Sequence, residues 1–228
     1  MTSWKAIWNK EERVNKVVLE MLLKADGFDS PTGSISVEDW NIYVNKISKK
    51  AGIKELDSIF DVGCGSGAFL YPLYLKNHKV GGVDYSSVLI DLARAIMKKG
   101  IFKKDEAIHI DVNKKFDVVL SSGVFLYFKD KQYAKDVLLK MIKKATKTIA
   151  IFDVNDAAKE SNYHEIRMKT MTKQQYEKKY KGLNHLFLKK DFFRQIAKEQ
   201  DLEVEIWDQD LDAYKNAQFR FNVVMKKI

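Results

Sequence analysis

A chain of 228 residues, 46% hydrophobic and 31% charged, is long enough to bury a full core and is expected to form a single domain. It has no run of ~18 apolar residues that would make a membrane-spanning helix, and its charged amphipathic start does not read as a secretory signal core. The net charge of +9 raises the question of nucleic acid, but the lysines are spread along the chain among Asp and Glu, with pairs at apparent helix ends and solvent faces. The single cysteine, Cys64, rules out an internal disulfide and fits a reducing, cytoplasmic setting.

Residues 3–25 read as an amphipathic helix, with Trp4, Ile7, Trp8, Val14, Val17, Val18, Met21 and Leu22 at three- and four-residue spacing. Gly27 is the stop, and Asp29-Ser30-Pro31-Thr32-Gly33 is a turn cluster. Ser36, with Asp39 three residues on, predicts the cap of a second helix through about Lys50 that carries Trp40, Tyr43, Val44 and Ile47 on one face. From Ser58 the chain alternates. Strands are predicted near 58–62, 79–84, 106–112, 116–121 and 147–153, with helices near 66–76, 87–99 and 131–144. Such alternation implies a parallel sheet with helices on both faces and ligands at the carboxyl ends of the strands.

After Asp153 the pattern breaks. Residues 155–185 are polar and helical and contain Tyr163, His164, Tyr176, Tyr180 and His185. A helix near 189–200 follows, then two period-two runs at 203–207 and 219–225 that read as antiparallel neighbours.

The chemistry centres on Ile59-Phe60-Asp61-Val62-Gly63-Cys64-Gly65-Ser66-Gly67-Ala68-Phe69-Leu70. An apolar run ends in an acid, passes three glycines spaced two apart and becomes apolar at helical spacing. That is a strand, a tight turn and a helix start, whose free N–H groups suit a polar or anionic ligand end. Asp84 closes the next strand, where an acid can accept from both hydroxyls of a ribose. Asp111 lies near the end of the run that follows. Cys64, inside the turn, reads as a small neutral residue and not as a nucleophile.

These residues resemble the class I S-adenosylmethionine (SAM)-dependent methyltransferases. Asp61-Val62-Gly63-Cys64-Gly65-Ser66-Gly67 is similar to that family's first motif, Asp84 to its ribose-binding acid and Asp111 to its adenine-side acid. Phe116-Asp117-Val118-Val119-Leu120-Ser121-Ser122-Gly123-Val124 resembles its fourth strand, whose end lies beside the transferable methyl. The resemblance implies a Rossmann-like, doubly wound, seven-stranded α/β sheet, mostly parallel with an antiparallel C-terminal strand. It also implies one domain over 1–228, with lid helices at about 3–50 and an acceptor-side helical insertion at about 155–200. Trp40 and Tyr43 would then line the site or simply fill the core.

The implied cofactor is SAM, leaving S-adenosylhomocysteine. The family reading puts Gly63, Cys64, Gly65 and Gly67 against its methionyl part, with Asp61 organising the turn and Ser121 near the methionyl amine. Asp84 takes the ribose, Tyr85 and Ser86 flank the adenine, and Asp111 and the N–H of Val112 meet the ring. For a hydroxyl acceptor a histidine general base is expected, His164 first with Tyr163 orienting it, then His185. Solvated surface histidines are the alternative. No spacing of His, Cys and carboxylates suggests a metal site.

The expected activity is methyl transfer to a small-molecule or sugar-type acceptor, at oxygen. The segments 181–186 and 214–222 resemble bacterial methyltransferases encoded with surface-polysaccharide genes. Two alternatives stand beside it. An RNA or protein methyltransferase is favoured by the charge, but no aromatic-basic motif supports it. A nicotinamide-dependent oxidoreductase is favoured by Gly63-x-Gly65-x-x-Ala68, with Asp61, Asp111 and the terminal antiparallel strand against it.

Overall fold

The computed structural model describes residues 4–30, 33–168, 175, 185–211 and 214–228; the side chains of residues 4–14, 29–30, 33–34 and 167–168 lie outside that description, as do Tyr176 and Tyr180 altogether. The N-terminal helix α1 (Trp4–Ala25) ends at Gly27, whose positive φ of 83° only glycine adopts without strain. Its buried face is Leu19, Leu22 and Leu23, whereas Val17 and Met21, counted in the predicted apolar stripe, are exposed. A two-residue hairpin, β1 (Asp29–Ser30) and β2 (Gly33–Ser34), leads to α2 (Val37–Lys50). Ser36 caps α2 by accepting the Asp39 N–H at 3.0 Å, as the spacing predicts.

The central sheet has seven strands in the order β5-β4-β3-β6-β7-β9-β8. They are β3 (Ile59–Val62), β4 (Val80–Asp84), β5 (Ile101–Lys104), β6 (Phe116–Ser122), β7 (Ala145–Asn155), β8 (Leu202–Asp208) and β9 (Arg220–Lys227). The first five pair in parallel, and β9 runs antiparallel to both β7 and β8. The predicted sheet class, mostly parallel with an antiparallel terminal strand, is the observed one.

Helices cover both faces. On one, α1, α2, the short α3 (Tyr71–Leu75) and α4 (Ser87–Ile96) enclose Val44, Ile47, Leu70, Ile90, Ala150 and Phe152. On the other, α5 (Lys131–Lys144) packs Val137, Leu138 and Met141 against Val119, Ile149 and Ile151. There α7 (Lys190–Glu199) adds Phe193 and Ile196, while α6 (Glu160–Met168) precedes it in the chain. Inner strands buried on both faces read as near-continuous apolar runs, which is why β3, β4, β6 and β7 were legible.

Two elements differ from expectation. No strand runs over 106–112; the third parallel strand is β5, which starts five residues earlier. In β5 only Phe102 is buried, so it carries almost no hydrophobic signal, as an edge strand with one covered face can. The more apolar stretch after it forms a 3₁₀ turn, Ala107–His109, that drops Ile110 into the core. The helix expected from about 66 begins only at Tyr71, with Pro72 in its first turn.

Candidate active site

At the carboxyl ends of β3, β4, β6 and β7 lies a cavity of about 840 Å³. That is toward the upper end of the ~300–1,000 Å³ typical of ligand pockets and leaves room for two small molecules. One end is built by the glycine turn. Gly63, Gly65 and Gly67 have φ of 80°, 54° and 88°. A Cβ on Gly63 would overlap Val124, and one on Gly65 would stand 2.5 Å from Asp26 Oδ1. Gly63 and Gly65 line the cavity; Gly67 does not, since it packs against Met97 of the segment after α4.

The turn's N–H groups are not free for a ligand, contrary to the sequence expectation. Gly63 and Cys64 donate to the Val83 carbonyl, Gly65 to Asp84 Oδ2 at 3.0 Å, Ser66 to Asp26 Oδ1 at 2.7 Å and Gly67 to the Cys64 carbonyl. Asp26 also takes a backbone bond from Ala68. A pyrophosphate cradle needs those donors unpaired. Here the protein's own groups occupy them, and five carboxylates line this end: Asp26, Asp61, Asp84, Asp105 and Glu106.

The acids crowd one another. Burial pushes Asp61 well above the carboxylate range, and Asp26 and Asp84 push it further the same way. Its Oδ1 is buried with no partner among the described residues. Burial lifts Asp26 from its ordinary 3.8 to about 6, against the lowering bonds from Ser66 and Ala68. Cys64 is buried against Gly82, and burial followed by Asp61 pushes its thiol well up, which makes it an inert packing group. Asp84 accepts Gly65 N–H on one oxygen and Ser86 N–H at 2.8 Å on the other. The turn is therefore a neutral or anionic bowl with one orphaned carboxylate oxygen, built for a ligand that brings positive charge and N–H donors.

The predicted residues divide between the cavity and its supports. Asp61, Gly63, Cys64, Gly65, Asp84 and Tyr85 line it, as does the buried Trp40, whose indole N–H donates to the Ala68 carbonyl at 2.9 Å. Ser86 instead caps α4 through the Leu89 N–H, and Ser121 turns its hydroxyl to the Val62 carbonyl at 2.7 Å, leaving Ser122 and Gly123 to face the cavity. Tyr43 sits in the core, bonded to Gln209. Asp111 and Val112 lie away from the cavity: Asp111 is exposed and accepts the Asn113 N–H, because β5 ends seven residues before it. The acid that follows β5 in the site is Asp105, with Glu106 and Ala107 beside it.

At the far end, His185 lines the cavity, with Nδ1 2.9 Å from the Tyr163 hydroxyl and its ring edge-on to Tyr127. Leu186 and Leu188 pin this segment through the Leu126 and Asn155 backbones. Tyr163 is fully buried behind it, whereas His164 does not line the cavity; its Nε2 lies 3.9 Å from Glu160. The rest of this end is Asp153, Tyr214, Asn216 and Arg220, none of them singled out from sequence. The available signals were an acid closing the β7 run and an arginine alternating with Phe219 and Phe221.

Comparison with known proteins places this geometry. A family model described as a methyltransferase domain matches residues 53–218. The chain belongs to that methyltransferase family. A search of curated proteins finds no match. Among solved structures, the chain is similar to magnesium protoporphyrin IX methyltransferase from Synechocystis PCC 6803 with bound SAM, at 13% identity and TM-score 0.60 over 94% of this chain and 97% of that one. It is also similar to the plantazolicin methyltransferase BpumL, in complex with a triazolic desmethylPZN analog and SAH, at 16% identity and TM-score 0.62 over 96% and 98%. A third is CalS10 from Micromonospora echinaspora, an amino pentose methyltransferase, at 10% identity and TM-score 0.59 over 83% and 92%. At these identities the likeness is one of fold, the class I SAM-dependent methyltransferase fold, and it extends over the N-terminal helices that the family match leaves out.

Proposed function

We propose that this methyltransferase uses S-adenosylmethionine to methylate a small, polar, sugar-type acceptor at oxygen. The observation that carries the cofactor half is the glycine turn, with its amides already paired and Asp26 and Asp61 held toward protonation by burial and by neighbouring acids. Such a turn repels a dinucleotide's pyrophosphate and favours a cationic ligand. When bound, SAM supplies an electrophilic methyl on a positively charged sulfur, which suits the acids that line this end.

In this reading Asp84 accepts from the ribose hydroxyls, and Asp61 offers its orphaned oxygen to the methionyl ammonium. The bare backbone at Gly63 and Gly65, beside Cys64, admits the cofactor's close approach. Tyr85 flanks the adenine, and the adenine side passes from Asp111 and Val112 to Asp105, Glu106 and Ala107. Gly67, Ser86 and Ser121 act from behind by holding the turn, α4 and β6.

His185, not His164, is the general base for the acceptor hydroxyl, and the Tyr163 hydroxyl sets its ring orientation. The N-terminal helices form the lid and residues 155–200 the acceptor side of a single domain. The acid-lined cavity disfavours an RNA phosphate backbone, and the lone buried thiol fits the cytoplasm. Calorimetric titration tests the cofactor half. SAM and S-adenosylhomocysteine are expected to bind and NADH not to bind; NADH binding in place of SAM would refute the reading.

A further inference from the structure

Asp153 is the most elaborately built residue at the acceptor end. Along β7, Ile149 and Ile151 join one core and Ala150 and Phe152 the other, as strand alternation requires. Val154 then joins the core of Ile151, not that of Phe152 two residues before it. One residue is extra: the register with β9 shifts between Ile151 and Val154, and Asp153 adopts φ of 61°, a left-handed conformation rare for a residue with a Cβ. Such a bulge re-aims a side chain, here into the cavity.

The surroundings hold it there. The Asp153 N–H donates to Asn222 Oδ1 at 3.0 Å, and Arg220 Nη1 donates to both the Asp153 carbonyl and Oδ2, each at 3.1 Å. The Tyr214 hydroxyl donates to the same Oδ2 at 3.2 Å. Beside it stands Gly123, whose N–H donates to the Phe152 carbonyl at 3.0 Å; a Cβ there would come 3.7 Å from Oδ2. An ion pair that only tied β7 to β9 would need neither the bulge nor a cavity wall.

We infer that Asp153, held by Arg220 and Tyr214, is the acceptor-binding carboxylate of this cavity and selects a neutral acceptor through a hydroxyl. The inference rests on the methyltransferase reading. Arg220 is 97% buried and its charge is balanced by Asp153, though its Nε has no partner among the described residues, so the pair presents no net positive charge to an acidic acceptor. An acceptor carboxylate would meet Asp153 itself, and an acceptor ammonium would meet the buried guanidinium behind it. A hydroxyl meets neither penalty. It donates to the Asp153 carboxylate, whose Oδ1 has no partner among the described residues, and leaves an oxygen lone pair free to face the methyl donor, while Tyr127 and the His185–Tyr163 pair flank it. The hydroxyl's source is a sugar or a phenol.

The test uses the full chain saturated with S-adenosylhomocysteine and follows probe binding by saturation-transfer NMR. Methyl β-D-glucopyranoside and catechol are the neutral probes, with the methyl glucuronide and methyl glucosaminide as charged counterparts of the sugar. At least one neutral probe is expected to bind, its identity assigning sugar or phenol. Asp153→Asn should weaken that binding about tenfold or more, and Tyr214→Phe by about 2- to 10-fold, the loss of one hydrogen bond. S-adenosylhomocysteine affinity should stay within about twofold in both variants. If Asp153→Asn does not fold, Tyr214→Phe decides alone. A charged sugar binding better than its neutral parent, neither neutral probe binding, or unchanged affinity in the variants would overturn the inference. Failure of S-adenosylhomocysteine to bind the unaltered protein would instead remove the methyltransferase reading, and this inference with it.

Discussion

At one end of the cavity, Asp61, Gly63, Cys64, Gly65 and Asp84 come from two adjacent strands and the turn between them. At the other, Asp153, His185, Tyr214 and Arg220 come from β7, the segment before α7, the β8–β9 connection and β9. The first end is acidic and its amides are internally paired; the second is charge-balanced and aromatic. A short local stretch of chain can therefore encode a site for an invariant ligand, while the site for a variable one is assembled from distant segments that can change separately. The difference predicts that variants at the two ends fail in different quantities.

The largest effect is expected at the acceptor end. His185→Ala should lower turnover by about 10²-fold or more, the usual contribution of a general base, and leave SAM affinity nearly unchanged. Equal loss of both would erase the distinction between the two ends. Asp84→Ala should do the reverse, weakening SAM by roughly 10- to 100-fold, on the order of 1.5–3 kcal/mol for charge-assisted bonds. Calorimetry would read it, and undiminished affinity would remove Asp84 from the ribose.

Asp61→Asn sharpens the contrast further. It removes a carboxyl that burial and two neighbouring acids disfavour. The ligand-free protein should therefore melt roughly 2–4 °C higher, as about 1 kcal/mol implies for a chain of this size, while binding SAM less well. A lower melting temperature without ligand would mean that the orphaned oxygen is satisfied in a way the geometry does not show.

The smallest effect is one of pH. The Asp26 carboxyl titrates near 3.8 when unfolded and at about 6 when folded, so between those values the folded protein holds the extra proton. The Asp26 contribution to the stability of the ligand-free protein should therefore fall as pH rises from about 4 to about 6, and Asp61, also raised by burial, adds a fall of the same sign. A cation favours the ionised acids, so SAM affinity should rise over the same window, with protons released on binding. Titrations in buffers of different ionisation enthalpy would detect that release; pH-independent affinity would separate Asp26 from the cofactor.

How far the sequence reached follows from periodicity. Helices α1, α2 and α5 and the strands around the turn were legible because buried faces impose period 3.6 or near-continuous apolar runs. The terminal pair β8 and β9 was legible from its period of two. In β5 a single buried Phe102 left the apolar weight on residues 106–112, and the sequence accordingly pointed to Asp111, which lies away from the cavity, and not to Asp105, which lines it. Ser121 and Ser122 are neighbours on opposite faces of β6, so an error of one residue exchanges a cavity wall for a packing contact. Asp26 and Arg220 reach the site only through tertiary packing, and no local pattern announces that.

The proposed reaction is methyl transfer from SAM to a small hydroxylated acceptor. It is tested most directly by following labelled methyl from SAM into a fractionated extract of the source cell, with and without nuclease. Label in the nuclease-resistant small-molecule or glycan fraction, lost with Asp84→Ala and with His185→Ala, is the predicted result. Label that disappears on ribonuclease treatment, or that stays with protein, would contradict the account.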